Sequence, residues 1–153
     1  MTKIYRYKLT VPDHAVDVNG HVNNIEYLRW MQDAAIRHCD RQGCTAATLA
    51  AGATWVVRAH RVEYLRPAFA GENIMVLTWV SNLRRVQSLR KYRAMRVEDN
   101  AVLVEGETNW VFVDMQTGRL RSIPKDVTLT LNIVPKDHER ELLRGMNGLK
   151  NET

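Results

Sequence analysis

This chain predicts an α+β domain, an antiparallel sheet curled around one long helix. Two features of the pattern carry the prediction. A single long amphipathic helical repeat follows Asn23, and from Thr54 to Asp114 the chain runs in four β-rich stretches joined mostly by short turns. One helix followed by an antiparallel meander buries its apolar stripe by lying against the sheet. The length, 153 residues, fits one domain with a sizeable core.

Residues Ile4 to Val11 alternate loosely and form a first strand that Pro12 ends. Pro12 to Asn23 is a loop rich in Asp, Asn and Gly. The helix comes next. Asn23 is its expected N-cap, with Glu26 three residues on, as in a capping box. Asn24, Tyr27, Leu28, Met31, Ala34, Ala35, His38 and Cys39 share the inner face. Glu26, Arg29, Asp33, Arg37, Asp40 and Arg41 share the other, where Arg29–Asp33 and Asp33–Arg37 stand at i,i+4 and can pair. Small Ala34 and Ala35 let a sheet approach the helix axis. Gly43 supplies the stop, which gives about 19 residues, or ~28 Å at 1.5 Å per residue.

No further helical period is expected until near the end. Thr54–Leu65, Glu72–Ser81, Arg84–Val97 and Ala101–Asp114 are the four strands, the second with Ile74, Val76, Thr78 and Val80 on one side. Glu98-Asp99-Asn100 and Gln116-Thr117-Gly118 are turns. Arg119 to Ile123 is a candidate short edge strand before Pro124. Val127 to Leu131 reads as a strand or an arm, Asp137 to Met146 as a short helix, and Asn147 to Thr153 as a frayed tail. The main domain is therefore expected over residues 1–135, with 136–153 a tail or short helix.

Composition narrows the function classes. The longest apolar runs, such as Ile74 to Leu77, are too short to span a bilayer, and Met1 to Arg6 holds no signal-peptide core. A cytoplasmic protein without membrane attachment is the expectation. Cys39 and Cys44 lie five apart, without CxxC spacing or clustered histidines, so no metal site is expected and the thiols read as ordinary ones in a reducing compartment. The net charge of +5 fits either nucleic acid or a small phosphorylated ligand. Basic residues interleaved with no recognised nucleic-acid motif argue against the first.

The densest chemistry lies in Asp17-Val18-Asn19-Gly20-His21-Val22-Asn23-Asn24-Ile25-Glu26-Tyr27-Leu28. A carboxylate, an imidazole and three carboxamides fall within eight residues and run straight into the helix. The first N–H groups of a helix lack intrahelical partners and carry partial positive charge, so an oxyanion formed there finds donors waiting. Polar chemistry on a tight turn at such a point suits attack on a carbonyl.

These residues resemble a known signature. Asp17 to Tyr27 is similar to the D-x-N-x-H-V-N-N-x-x-Y pattern of the hotdog-fold thioesterases, the 4-hydroxybenzoyl-CoA and acyl-carrier-protein thioesterase superfamily. Tyr64-Leu65-Arg66-Pro67, Gly71-Glu72 and Ile123-Pro124 resemble later motifs of that family, in the same order. The resemblance covers about residues 5 to 124. It implies a hotdog fold and hydrolysis of an acyl-CoA or acyl-carrier-protein thioester, with no cofactor. It also implies a homodimer or dimer of dimers with active sites at the subunit interface.

Residue by residue, the resemblance makes Asp17 the catalytic carboxylate, attacking the thioester carbonyl or acting as base on a water. His21 and Asn19 orient the water or the carboxylate, or bond the thioester oxygen, and the Asn24 backbone N–H is the oxyanion donor. Tyr27 lies on the buried stripe and is a candidate for the acyl pocket with Trp30 and Met31. Coenzyme A carries phosphates that need fixed cations, and the family meets them with basic residues in the region of Arg84, Arg85, Ser88, Arg90 and Lys91. Arg58, His60 and Arg61 form a second basic group suited to a neighbouring subunit. Plant acyl-carrier-protein thioesterases are tandem hotdogs with further residues in a second copy; this chain has room for one copy, and those residues are not carried over. Two alternatives stand beside hydrolysis. One is a non-catalytic acyl-thioester-binding hotdog protein. The other is a hotdog hydratase or dehydratase, whose D-x-x-x-x-H pattern differs from the three-residue gap between Asp17 and His21.

Overall fold

The computed structural model describes residues 3–149. Five strands form one antiparallel sheet in the order β1-β3-β4-β5-β2. The strands are β1 (Tyr5–Thr10), β2 (Ala53–Tyr64), β3 (Asn73–Leu83), β4 (Gln87–Arg96) and β5 (Val102–Asp114). The helix α1 (Asn24–Gln42) lies against the inner face of the sheet, and the whole is the hotdog arrangement. A short helix α2 (Cys44–Ala50) follows it directly, and α3 (Lys125–Thr128) and α4 (Lys136–Leu149) close the chain.

The helix α1 has the expected 19 residues. Asn23 caps it, Oδ1 accepting from the Ile25 N–H at 3.1 Å. The reciprocal half of the expected capping box is absent, because the Asn23 N–H already donates to Ala15 O at 2.8 Å. Gly43 ends the helix in the left-handed region, φ 81°. The buried face is wider than the spacing predicts. Trp30 joins Tyr27, Met31, Ala34, Ala35 and His38, since a curled sheet wraps more of the helix than a flat one. Asn24, placed on that stripe by its spacing, is exposed at the helix tip. Among the described residues neither Arg29–Asp33 nor Asp33–Arg37 closes into an ion pair. Arg37 instead lies over the Tyr7 ring of β1, 4.7 Å from its centre. Close approach of α1 to the sheet is set at Gly106, where an added Cβ would meet Met31 Sδ at 3.1 Å.

The sequence pattern misses α2. Gly43 is both the end of α1 and the N-cap of α2, and Thr-Ala-Ala-Thr-Leu-Ala carries helix-forming alanines without an apolar stripe. The strand β4 starts at Gln87, because Arg84 to Val86 turn, with Arg84 N–H donating to Gln87 O. Arg119 to Ile123 is no strand: it touches the sheet through one bridge, Leu120 to Val113. Val127 to Leu131, expected as a strand or an arm, is no strand: it continues from a helical turn, Lys125–Thr128, begun by Pro124. Asp137 to Met146 is helical, within a longer α4; residues 150–153 of the expected tail lie outside the described residues.

The helix α4 covers the outer face of the sheet. It packs Leu143 against Leu77, Trp79, Met95 and Val134, so β3 is buried on both faces rather than one. Its anchor is Glu139, 8% exposed. That carboxylate accepts from Lys91 Nζ at 2.7 Å, Trp79 Nε1 at 3.2 Å and Ser81 Oγ at 3.3 Å.

Candidate active site

Asp17 to His21 close a tight turn. The Asp17 N–H donates to His21 O at 2.8 Å, the Gly20 N–H to Asp17 O at 3.0 Å, and Val16 bridges Val22. Gly20 sits at φ 81°, which the turn requires. The Asn19 N–H donates to Asp17 Oδ1 at 2.9 Å and so fixes the carboxylate. Asp17, Asn19 and His21 are exposed. The Asn24 N–H, at the first turn of α1, has no acceptor among the described residues. Its carbonyl accepts from Tyr64 Oη at 3.1 Å. His21, Asn24, Tyr27 and Tyr64 line a cleft of about 180 Å³.

The later motifs hold this turn in place. Val22 N–H donates to Ala68 O at 2.9 Å, and the Phe69 ring meets His21 edge-on at 5.3 Å. Glu72 Oε1 accepts from the Phe69 N–H at 2.7 Å. Arg96 of β4 locks the segment: it donates to Pro67 O at 2.7 Å and pairs with Glu72 at 2.8 Å and Asp99 at 3.0 Å. Pro67 and Glu72 thus serve the site through one guanidinium, a residue that sequence reasoning passed over. Tyr27 is buried against Trp30 and Tyr64. Burial pushes its hydroxyl up to about 12, and the group sits toward Ala68 outside hydrogen-bonding geometry.

A second space opens at the other end of α1. It measures about 270 Å³ and lies between the last turns of α1, the helix α2, the start of β2 and strands β4 and β5. Ala35, Leu49, Trp55, Trp110 and Leu131 give it apolar walls; Ser88 and Arg90 reach it from β4. Arg90 is 5% exposed and donates through Nη1 to His38 Nδ1 at 2.8 Å and Thr78 Oγ1 at 3.2 Å. Arginine only donates, so His38 must be neutral, its proton on Nε2. Burial, then the neighbouring guanidinium, pulls His38 down from 6.5 to about 4. Burial likewise lowers Arg90 from its ordinary value. Cys39 and Cys44 line the cavity and interact: the Cys39 thiol is raised and Cys44 is drawn down to about 7.

Arg84, Arg85, Ser88, Arg90 and Lys91, expected to bind substrate together, fall in three places. Arg84 and Arg85 are exposed on the turn between β3 and β4, Arg85 Nη1 donating to Ser122 Oγ at 3.4 Å. Ser88 and Arg90 are buried on the inner face. Lys91 is on the outer face, paired with Glu139. Strand alternation separates neighbours in sequence. His21, Asn24 and Tyr27 line one cleft, while Asp17 and Asn19 sit on the same turn as His21 and outside that lining. Among the described residues there is no cluster of three metal-binding side chains, and no helix is long and apolar enough to cross a membrane.

A sequence profile of the thioesterase-like superfamily matches residues 11–131, and the chain belongs to that superfamily. Among individual proteins, it is similar to the acyl-CoA thioester hydrolase YbgC of Escherichia coli, 26% identical over 129 residues that make up 82% of this chain and 94% of that one. It is also similar to the chloroplastic acyl-[acyl-carrier-protein] hydrolase FATB3 of Cuphea viscosissima, 22% identical over 130 residues, 80% of this chain and 32% of that protein. The chain thus spans about a third of that hydrolase's length. In fold it matches a 1,4-dihydroxy-2-naphthoyl-CoA thioesterase from Synechocystis, with a TM-score of 0.75 at 13% identity over 84% of this chain and 95% of that one.

Proposed function

We propose that the chain hydrolyses acyl thioesters of coenzyme A or of an acyl carrier protein, as a homodimer, with Asp17 as the reacting carboxylate. The observation that carries this is the Asp17–His21 turn leading directly into α1, whose Asn24 N–H is unused among the described residues. Asp17 attacks the thioester carbonyl, or draws a proton from a water that does. The carbonyl oxygen gathers negative charge against the Asn24 N–H, aided by the α1 dipole, while His21 and Asn19 orient the attacking group. The C–S bond breaks and the sulfur leaves as thiolate, which takes up the proton the water gives up; where Asp17 itself attacks, water then hydrolyses the mixed anhydride, freeing the acid and restoring the carboxylate.

The cavity at the far end of α1 is the acyl site in this reading. It begins about 16 Å from Asn24 along the helix axis, eleven residues at 1.5 Å each. An acyl group there holds its thioester away from its own Asp17. The strand β2 is one of the two sheet edges; its start lines the cavity and its last residue, Tyr64, lines the cleft. Two such edges paired antiparallel about a two-fold axis set the cavity of one copy beside the cleft of the other. Exposed Ile25, Val56, Leu65 and Phe69 suit that contact. Arg84 and Arg85 are the candidates for the phosphates of coenzyme A.

Release of free thiol from a panel of acyl-CoA and acyl-carrier-protein thioesters tests the activity. Asp17→Asn should lower kcat by about 10² or more; turnover equal to the wild type removes Asp17 from the reaction. The shared site predicts complementation. Asp17→Asn and a cavity-filling Ala35→Trp variant, each slow alone, should recover activity when co-expressed, and no recovery means that each copy works by itself.

A further inference from the structure

The chemistry of the cavity indicates which acyl groups it takes, if it is the acyl site proposed above. Its walls are mostly apolar, yet a cation stands at its base; the one carboxylate of the lining, Asp40, is exposed and accepts from Thr45 Oγ1. Both hydrogen bonds of Arg90 leave from Nη1, toward two uncharged acceptors. Among the described residues no carboxylate pairs with it, whereas Lys91, Arg93, Arg96 and Arg121 of the same sheet region are all paired. A guanidinium withdrawn from water without a counter-charge is costly, and folded proteins pair such groups. The neighbours able to ionise are weak acids. Burial keeps the Tyr92 phenol neutral, and the Cys44 thiol, drawn down to about 7 and held by Thr48 Oγ1, carries only part of a negative charge at neutral pH. Ser88, 5% exposed, and Thr48, 4% exposed, add hydroxyls to the same wall.

We propose that the acyl group selected here ends in a carboxylate, which Arg90 binds through the edge of its guanidinium that His38 and Thr78 leave open. An apolar slot with one buried cation fits a chain that is aliphatic or aromatic along its length and anionic at its far end. A two-pronged Arg–carboxylate contact supplies both charge and direction. A methyl-ended acyl group of the same length leaves the guanidinium unpaired, and a trimethylammonium-ended one opposes it.

The probes are non-hydrolysable thioether analogues of acyl-CoA in matched pairs, one ending in carboxylate and one in methyl, over the succinyl, glutaryl, adipoyl and suberoyl lengths. Binding to the full chain is read by calorimetry, with the fluorescence of Trp55 and Trp110 reporting occupancy of the cavity. At the best length the carboxylate analogue should bind at least tenfold more tightly than its methyl partner. Arg90→Met should bring the ratio to one or below, and Arg90→Lys should keep part of it. A ratio at or below one at every length in the wild type overturns the inference, and that reading stands even if Arg90→Met fails to fold. So does a preference that survives intact in a folded Arg90→Met. A carboxylate preference in a protein that hydrolyses none of the matching thioesters removes the activity proposed above and leaves this inference standing.

Discussion

Replacing His38 by Asn tests whether the charge at the base of the cavity belongs wholly to Arg90. His38 is 3% exposed, stacks on Tyr5 with ring centres 5.4 Å apart, and accepts from Arg90 through Nδ1. Protonating it breaks that bond and sets two cations side by side. The folded value of about 4 lies below the ordinary 6.5, a difference of about 3 kcal/mol between the two protonation states. The sign follows from proton uptake. Between 6.5 and about 4 the unfolded chain carries a proton on His38 that the folded chain refuses, so acid favours unfolding. The stabilisation is complete above pH 6.5 and is lost as the pH falls through 4. Asn keeps an acceptor near the position of Nδ1 and does not titrate. Urea unfolding of both proteins at several pH values from 7 to 4.5 should show the wild type losing about 2 kcal/mol more than His38→Asn. His60 is also lowered by burial, and Asp99 and Asp114 by their hydrogen bonds, but all three are common to both proteins and cancel in the difference. Parallel curves, or an NMR titration of the His38 ring near pH 6.5, would refute a neutral histidine held by arginine.

Two further outcomes follow from the packing around the site. Glu139→Leu removes the acceptor of Lys91, Trp79 and Ser81 on the outer face. It should cost about 2 kcal/mol, less than a fully buried pair because the Lys91 side chain stays 29% exposed, and should speed amide exchange in α4; an unchanged urea midpoint counts against the anchor. Arg96→Met frees Pro67 O and Glu72 and with them the segment that carries Phe69 and Ala68 against the Asp17 turn. Thioesterase activity should fall at least about tenfold, with partial rescue in Arg96→Lys, since small misplacement of reacting groups is costly; full activity in Arg96→Met would show that the turn holds itself.

What the sequence makes legible is what depends on neighbours in the chain. The 19-residue helix, its Asn23 cap, its Gly43 stop and the Asp17 turn are local, so spacing and turn chemistry reveal them. The capping box fails for a distant reason: Ala15 O, eight residues back, takes the Asn23 N–H first. Trp30 is buried because the sheet curls, and no helical period records curvature. Burial of Leu77 and Trp79 on the outer face likewise depends on α4 arriving from sixty residues away. The basic run from Arg84 to Arg93 shows the limit most clearly. Read along the chain it is one cationic patch. Folded with period two and a turn at its head, it becomes an exposed pair, a buried guanidinium against α1, and two cations tied to Glu139 and Glu105 on the opposite face. Only Arg90 loses water without gaining a carboxylate, and that difference is invisible in the residue types.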